Sequence, residues 1–191
     1  FYIVHNYYTP YLTNASADII LATPESVTQT MMNYVKQSMT NAGIAHKPVT
    51  LGEYNIFSVG SKQQVSNVNG LHGVMVVGEA LKNKIGMTGR WDLANGWDNG
   101  NDHGMFNIGD EPDGVPKWNP RPVYYYMYFF EKMLGDRLVS STSTASSIVS
   151  YASSFTSGET AVAIINKSSS AATVQVVVNN FKKGNNFYYY K

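Results

Sequence analysis

Pro48-Val49-Thr50-Leu51-Gly52-Glu53-Tyr54-Asn55 places three strand-forming residues ahead of a glycine and then a carboxylate. Val49, Thr50 and Leu51 suit a buried strand, and Gly52 permits close backbone approach. Glu53 falls at the downstream end, where the chain must turn. In folds built on parallel strands, working side chains collect at that carboxyl end. The stretch therefore predicts a strand that delivers Glu53 to a site.

The flanking sequence alternates in the way such a strand requires. Phe1-Tyr2-Ile3-Val4-His5 reads as a first strand. A helix is predicted to start at Thr23-Pro24-Glu25, with Thr23 as N-cap, Pro24 in the first helical position and Glu25 complementing the helix dipole. Val27, Met31, Tyr34, Val35 and Met39 share one face, and Gly43 can end the helix. After the Glu53 strand, a second helix is predicted from about Gln64 to Lys82. It carries Val65, Val68, Leu71, Met75 and Leu81 on one face, with Gly70, Gly73 and Gly78 thinning it for close packing. A third strand is predicted over about Ile85 to Trp91. The loop that follows, to Asn119, is far longer than the usual ~4 to 6 residues. A third helix, about Pro120 to Leu134, is stopped by Gly135 and holds Tyr124 to Phe130, a run apolar nearly all round that predicts a helix wedged between two layers. Strand and helix in alternation argue a parallel sheet with crossover helices.

Beyond Leu138 the texture changes. Ser and Thr crowd residues 140 to 147, and short β-forming runs follow at Ile148 to Ala152, Thr160 to Asn166, Thr173 to Val178 and Phe187 to Tyr190. Gly158, Ser168 to Ser170 and Gly184-Asn185-Asn186 punctuate them. These predict part of an antiparallel β module whose alternate terminal tyrosines face its core. A strand that begins at residue 1 and another that runs to Lys191 predict a fragment of a longer chain.

Composition narrows the class of function. The chain has 191 residues, a formal net charge of +1 and scattered basic residues, so no electrostatic footprint for nucleic acid is present. No run approaches the ~18 apolar residues of a membrane span. With no cysteine, disulfides and thiolate metal sites are excluded. The 14 tyrosines, with abundant Asn, Ser and Thr, supply stacking surfaces and neutral hydrogen-bond partners suited to sugars, or equally to an ordinary β-rich core. No phosphate-binding glycine loop, serine nucleophile elbow or thiol nucleophile occurs.

His5-Asn6-Tyr7-Tyr8 after the first strand, Glu53 ending the second and Trp91 ending the third resemble strands six, seven and eight of the clan A retaining glycoside hydrolases. The resemblance implies α/β architecture, with residues 1–137 as the C-terminal three β/α units of a (β/α)8 TIM barrel and residues 138–191 as part of a β-sandwich. It implies Glu53 as nucleophile and Tyr7 as its hydrogen-bond donor, with Tyr8 an alternative for that hydroxyl. It also implies His5 beside the substrate and Trp91 as the floor under the sugar. The clan's general acid/base comes from an Asn-Glu pair ending strand four. This sequence contains no Asn-Glu dipeptide. The acid/base is then expected on a missing barrel half, in the same parent chain or in a companion polypeptide, and this chain alone is expected to be inactive. No cofactor is implied.

Each candidate also has a plainer reading. Glu53 can be a rim carboxylate in a salt bridge, and His5 a core histidine bonded to backbone. His5 and Tyr7 share one face of an extended segment, which sets substrate contact by His5 level with that plainer reading. Asn55 can touch sugar or cap a turn, and Arg90 is a cation placed to keep Glu53 ionised. The loop Trp91 to Gly104 concentrates Trp97, Asp98, Asp102 and His103 on the expected rim and is expected to shape a substrate cleft. Asp98, Asn99, Asn101 and Asp102 can ligate calcium, but Gly100 breaks the EF-hand pattern, so solvated turn chemistry is expected instead and no metal site is assigned. Trp97 and Trp118 are sugar platforms or loop anchors. Asp110 and Glu111 are expected to be solvated, and His46 and His72 structural.

The expected function is retaining hydrolysis of a polysaccharide or oligosaccharide by a secreted or periplasmic enzyme, with galactans such as agar or porphyran as candidate substrates. The alternative is a carbohydrate-binding protein that does not cleave.

Overall fold

The computed structural model describes residues 1–181, 184 and 186–190. The architecture is mixed α/β. Strand β1 (Tyr2–Tyr7), helix α1 (Ala17–Asn41), strand β2 (Val49–Asn55), helix α2 (Asn67–Lys82) and strand β3 (Met87–Arg90) follow in turn. The three strands form a parallel sheet in the order β1-β2-β3. Helices α1 and α2 cover one face. Val49, Leu51, Tyr54 and Ile56 of the β2 segment are buried there with Ile20, Met32 and Met39 of α1 and Val76 and Ala80 of α2. Each such aliphatic side chain contributes about 1.5–3 kcal/mol. The opposite face is open, and Ile3 and Met87 are exposed.

Helix α1 begins a full two turns earlier than Thr23. Ser16 is its N-cap, with its side chain accepting from the Ile19 N–H, and Asp18 lies in the first turn. Pro24 is therefore interior, where its missing N–H would orphan the Ile20 carbonyl. The Thr23 hydroxyl donates to that carbonyl at 2.7 Å instead. A local side-chain bond thus replaces the lost backbone one, and the helix continues to Asn41. Helix α2 starts at the N-cap Ser66 after a single 3₁₀ turn, Gln63–Val65.

The long loop carries two short parallel strands, β4 (Ala94–Asn95) and β5 (Phe106–Asn107), before helix α3 (Pro122–Lys132). A three-stranded antiparallel sheet follows: β6 (Arg137–Val139), β7 (Ile148–Ser154) and β8 (Thr160–Asn166). This sheet shares a core with the helices through Leu21, Val74, Met75, Phe130, Val149, Tyr151 and Ile165. The glycines of α2 allow that packing. A Cβ on Gly78 would overlap the Tyr151 ring, one on Gly70 would overlap Tyr126, and one on Gly73 would lie 3.2 Å from Val123.

Two expectations for this half are corrected. Helix α3 is not enclosed. Val123 and Phe130 are buried against α2 and β7, while Tyr125, Tyr128 and Phe129 are exposed, so its apolar run is one packed face and one open face. The runs 173–178 and 187–190 form no strand, and Phe187 to Tyr190 are exposed, not alternately buried. β propensity alone gave these runs no partner strand to pair with. Asn185 and Lys191, which the sequence places in a turn and a strand, lie outside the described residues.

Candidate active site at the carboxyl end of the parallel sheet

A step in strand pairing creates the site. Val4 pairs with Leu51, but the next pair is His5 with Glu53, so β2 carries one extra residue, Gly52. Such a bulge re-aims the side chain that follows it. Leu51 and Tyr54, three apart, both enter the helix-side core. Glu53 turns to the open face beside the β1 side chains. Any larger residue at the step must push its neighbours aside, because a Cβ there would lie 2.8 Å from Ile3 Cγ2 and 3.0 Å from His5 Nε2. On the other edge, a Cβ on Gly89 would lie 2.6 Å from the Gly52 carbonyl oxygen.

Glu53 is 28% exposed and accepts a hydrogen bond from the Tyr7 hydroxyl at 3.2 Å, while His5 Nδ1 stands 3.6 Å from the same oxygen, Oε2. The Tyr7 ring stacks on Phe57 at 4.8 Å and meets the His103 ring edge-on at 5.5 Å. Burial first, then the Glu53 charge and its hydrogen bond, push the Tyr7 phenol up to about 12. Tyr7 therefore remains a donor throughout any working pH range. His103 is held down to about 4, chiefly by burial and secondly by the Arg90 charge, so it faces Tyr7 as a neutral imidazole. Trp91 follows β3 directly, with its N–H donating to the Tyr54 carbonyl at 3.1 Å, and is 42% exposed. The structure thus brings together His5, Tyr7, Glu53 and His103, with Trp91 at the end of the neighbouring strand.

Other expected contributors go elsewhere. Tyr8 is not a site residue. It is buried under α1 and α2, with its hydroxyl 2.7 Å from Thr28 Oγ1 and its ring against His72, because strand alternation turns it away from Tyr7. Asn55 is buried with all its polar atoms engaged. Its amide donates to the Trp91 and His103 carbonyls, and its oxygen accepts from Asn69 Nδ2 and the Ile56 N–H. It fixes the start of the long loop and presents nothing to a substrate. Arg90 pairs with Tyr54 in register and donates to the His103 carbonyl at 2.6 Å, not to Glu53. Burial holds its guanidinium down to about 10. Trp97 is half-buried with its N–H on Asp110 at 2.7 Å, and Asp98 is exposed. Among the described residues, no hydrogen bond or ring contact joins either to the Glu53 cluster.

The loop is built on charges that sequence reading left in solvent. Arg121, the residue before α3, is buried and donates to Asp102 Oδ2 at 2.6 Å, to Glu111 Oε2 at 3.4 Å and to the Gly104 carbonyl at 3.2 Å. Glu111 is therefore enclosed, and it also accepts from Asn107 Nδ2 at 2.7 Å. Asp102 is committed to Arg121 and the Gly104 N–H, which removes it from any calcium set. Among the described residues, no group of three or more His, Asp or Glu is placed to hold a metal ion. Phe57 and Arg121 were missed. Phe57 follows a strand end with no polar signature, and the partners of Arg121 lie in a loop whose path sequence does not give.

No protein-family model matches the chain, and no curated protein matches it. Among solved structures, it is similar to a beta-glucuronidase of Faecalibacterium prausnitzii, at 18% identity and a TM-score of 0.40. That likeness covers 69% of this chain and 21% of the other, so the chain spans about a fifth of the length of that protein. A likeness of that degree carries no assignment of residues or chemistry.

Proposed function

We propose that this chain carries the nucleophile side of a retaining glycoside hydrolase site, with Glu53 as nucleophile. The supporting observation is the Tyr7–Glu53 hydrogen bond at the carboxyl end of a central parallel strand, on an open sheet face beside an exposed tryptophan. The three-stranded parallel sheet with helices on one face supports a reading as three consecutive β/α units of a barrel, and among the described residues β1 and β3 each retain a free edge.

Retaining hydrolysis requires two carboxyl groups about 5–5.5 Å apart. Glu53 attacks the anomeric carbon as the glycosidic C–O bond breaks, giving a glycosyl ester. The second carboxyl protonates the departing oxygen, then takes a proton from the water that cleaves the ester. Tyr7 and His5 hold the attacking oxygen, and Trp91 offers a stacking surface to the sugar and to the positive charge that develops on its ring. The second carboxyl belongs to a part of the barrel outside this chain. A polysaccharide is the substrate class, galactans are the first to try, and a secreted or periplasmic setting follows from such substrates.

The test is Glu53→Gln in the full protein that carries this chain, assayed against agar, porphyran and other glycans. Hydrolysis falls by three or more orders of magnitude while glycan binding persists. Unchanged hydrolysis refutes the assignment. Binding without hydrolysis by the unmutated protein assigns a carbohydrate-binding role instead.

A further inference from the structure

We propose that Arg121 is a positioning residue for the Glu53 site, acting through Asp102 and His103 on Tyr7. This rests on the assignment of Glu53 as nucleophile for its catalytic consequence, though not for its structural one.

The contacts form an unbroken chain. Arg121 grips the tripeptide Asp102-His103-Gly104 at both ends, through the Asp102 carboxylate at 2.6 Å and the Gly104 carbonyl at 3.2 Å. Asp102 Oδ1 closes the turn by accepting from the Gly104 N–H at 2.9 Å. Gly104 has no room for a side chain, since a Cβ would lie 2.8 Å from both Asn95 N and the Phe106 carbonyl oxygen. His103, between them, is fixed a third way, its carbonyl accepting from Arg90 and Asn55. Its ring is consequently set edge-on to both Tyr7 and Phe57, at 5.5 and 5.7 Å. Tyr7 is thus held between Phe57 and His103 with its hydroxyl on Glu53.

Stability alone does not account for the Arg121–Asp102 pair. Arg121 is 4% and Asp102 0% exposed, and at such burial the desolvation cost offsets most of the Coulombic gain. Burial of a charged pair is better used to select one loop conformation, and here the selected loop is the one that carries His103 to Tyr7. Two carboxylates, Asp102 and Glu111, share the one guanidinium, so a lysine, with its single point charge, cannot hold both and the Gly104 carbonyl in the same fork.

The experiment compares Arg121→Met, Arg121→Lys and Asp102→Asn in the full protein, with two readouts. The first needs no substrate: NMR of ¹³C-labelled His and Tyr rings. The His103 and Tyr7 signals are expected to move in all three variants, least in Arg121→Lys, while His46 and Tyr34, exposed on or beside α1, stay in place. The second is hydrolysis, where kcat is expected to fall about 10- to 100-fold with KM within about twofold. Unmoved His103 and Tyr7 signals in folded variants overturn the proposal. So does loss of folding in both Arg121→Met and Asp102→Asn, which makes the pair a requirement of the fold. If ring signals move but hydrolysis does not respond even to Glu53→Gln, the positioning stands and the nucleophile assignment fails.

Discussion

Tyr7 reaches Glu53 because the pairing of β1 with β2 skips Gly52. Were Gly52 paired in regular register instead, Glu53 would share the face of Leu51 and enter the helix-side core, where an ionised carboxylate is untenable. Gly52→Ala should therefore damage the site more than the fold. The new methyl must displace Ile3 and His5, both on the open face, at about 1–3 kcal/mol. Urea unfolding gives the stability loss, and a hydrolysis defect beyond about tenfold that far exceeds the loss of folded protein is the expected pattern.

Tyr7→Phe removes one donor to a carboxylate and keeps the ring stacked on Phe57. A hydrogen bond to a charged group contributes about 1.5–3 kcal/mol, and partial exposure of Glu53 places this one at the lower end. The expected result is a roughly tenfold fall in kcat, with a loss of stability by urea unfolding of no more than about 1.5 kcal/mol. An equal loss in Tyr8→Phe would contradict the geometry, because Tyr8 bonds Thr28 in the core.

Acid should weaken the fold through two histidines. Burial pushes His72 down to about 3 and His103 to about 4, with the Arg90 charge acting in the same direction on both. Their folded values lie below the unfolded value of about 6.5, so the unfolded chain takes up protons first. Their contribution is complete above about pH 6.5 and is lost as pH falls, by up to about 1.4 kcal/mol per pH unit for each. Between about pH 4 and 3, His72 acts alone. In urea midpoints measured against pH, His72→Phe should remove about half of the histidine part of the slope above pH 4 and all of it below.

Thr23→Val tests how α1 tolerates Pro24. It leaves the Ile20 carbonyl without its hydroxyl donor and should cost about 1 kcal/mol. In a Pro24→Ala background the restored N–H serves that carbonyl, and the same substitution should cost close to nothing. A double-mutant cycle by urea unfolding measures the difference.

Gly78→Ala should cost about 1–3 kcal/mol despite better helix propensity, because the methyl overlaps the Tyr151 ring that joins α2 to the antiparallel sheet. The control is Gly43→Ala. Nothing crowds that position, so any cost there comes from its positive φ of 65° alone.

Much of the sheet was legible because its signals are local. Val49-Thr50-Leu51 with a following glycine marks β2, and the glycines of α2 announce close neighbours in the sequence itself. Helix boundaries were less legible. Pro24 reads as a first-turn residue unless the Thr23 hydroxyl is known to replace the missing bond. The runs at 173–178 and 187–190 have strand composition without a partner, and strand formation is a property of pairs, so composition misled there.

The sequence by itself determined that Glu53 lies toward the carboxyl end of a strand, that His5 and Tyr7 share a face of another, and that Trp91 lies at the close of a third. Those follow from periodicity and turn residues within a few positions. Only the tertiary structure decided which face Glu53 takes, since that depends on a one-residue step between two strands 46 residues apart at the Tyr7–Glu53 contact. It also decided that Tyr8, Asn55 and Arg90 point into the protein, and that Arg121 and Asp102 are buried together as a pair beside His103 in the chain. Burial of a charge requires a partner from elsewhere in the chain, and such a partner becomes visible only once the chain is folded.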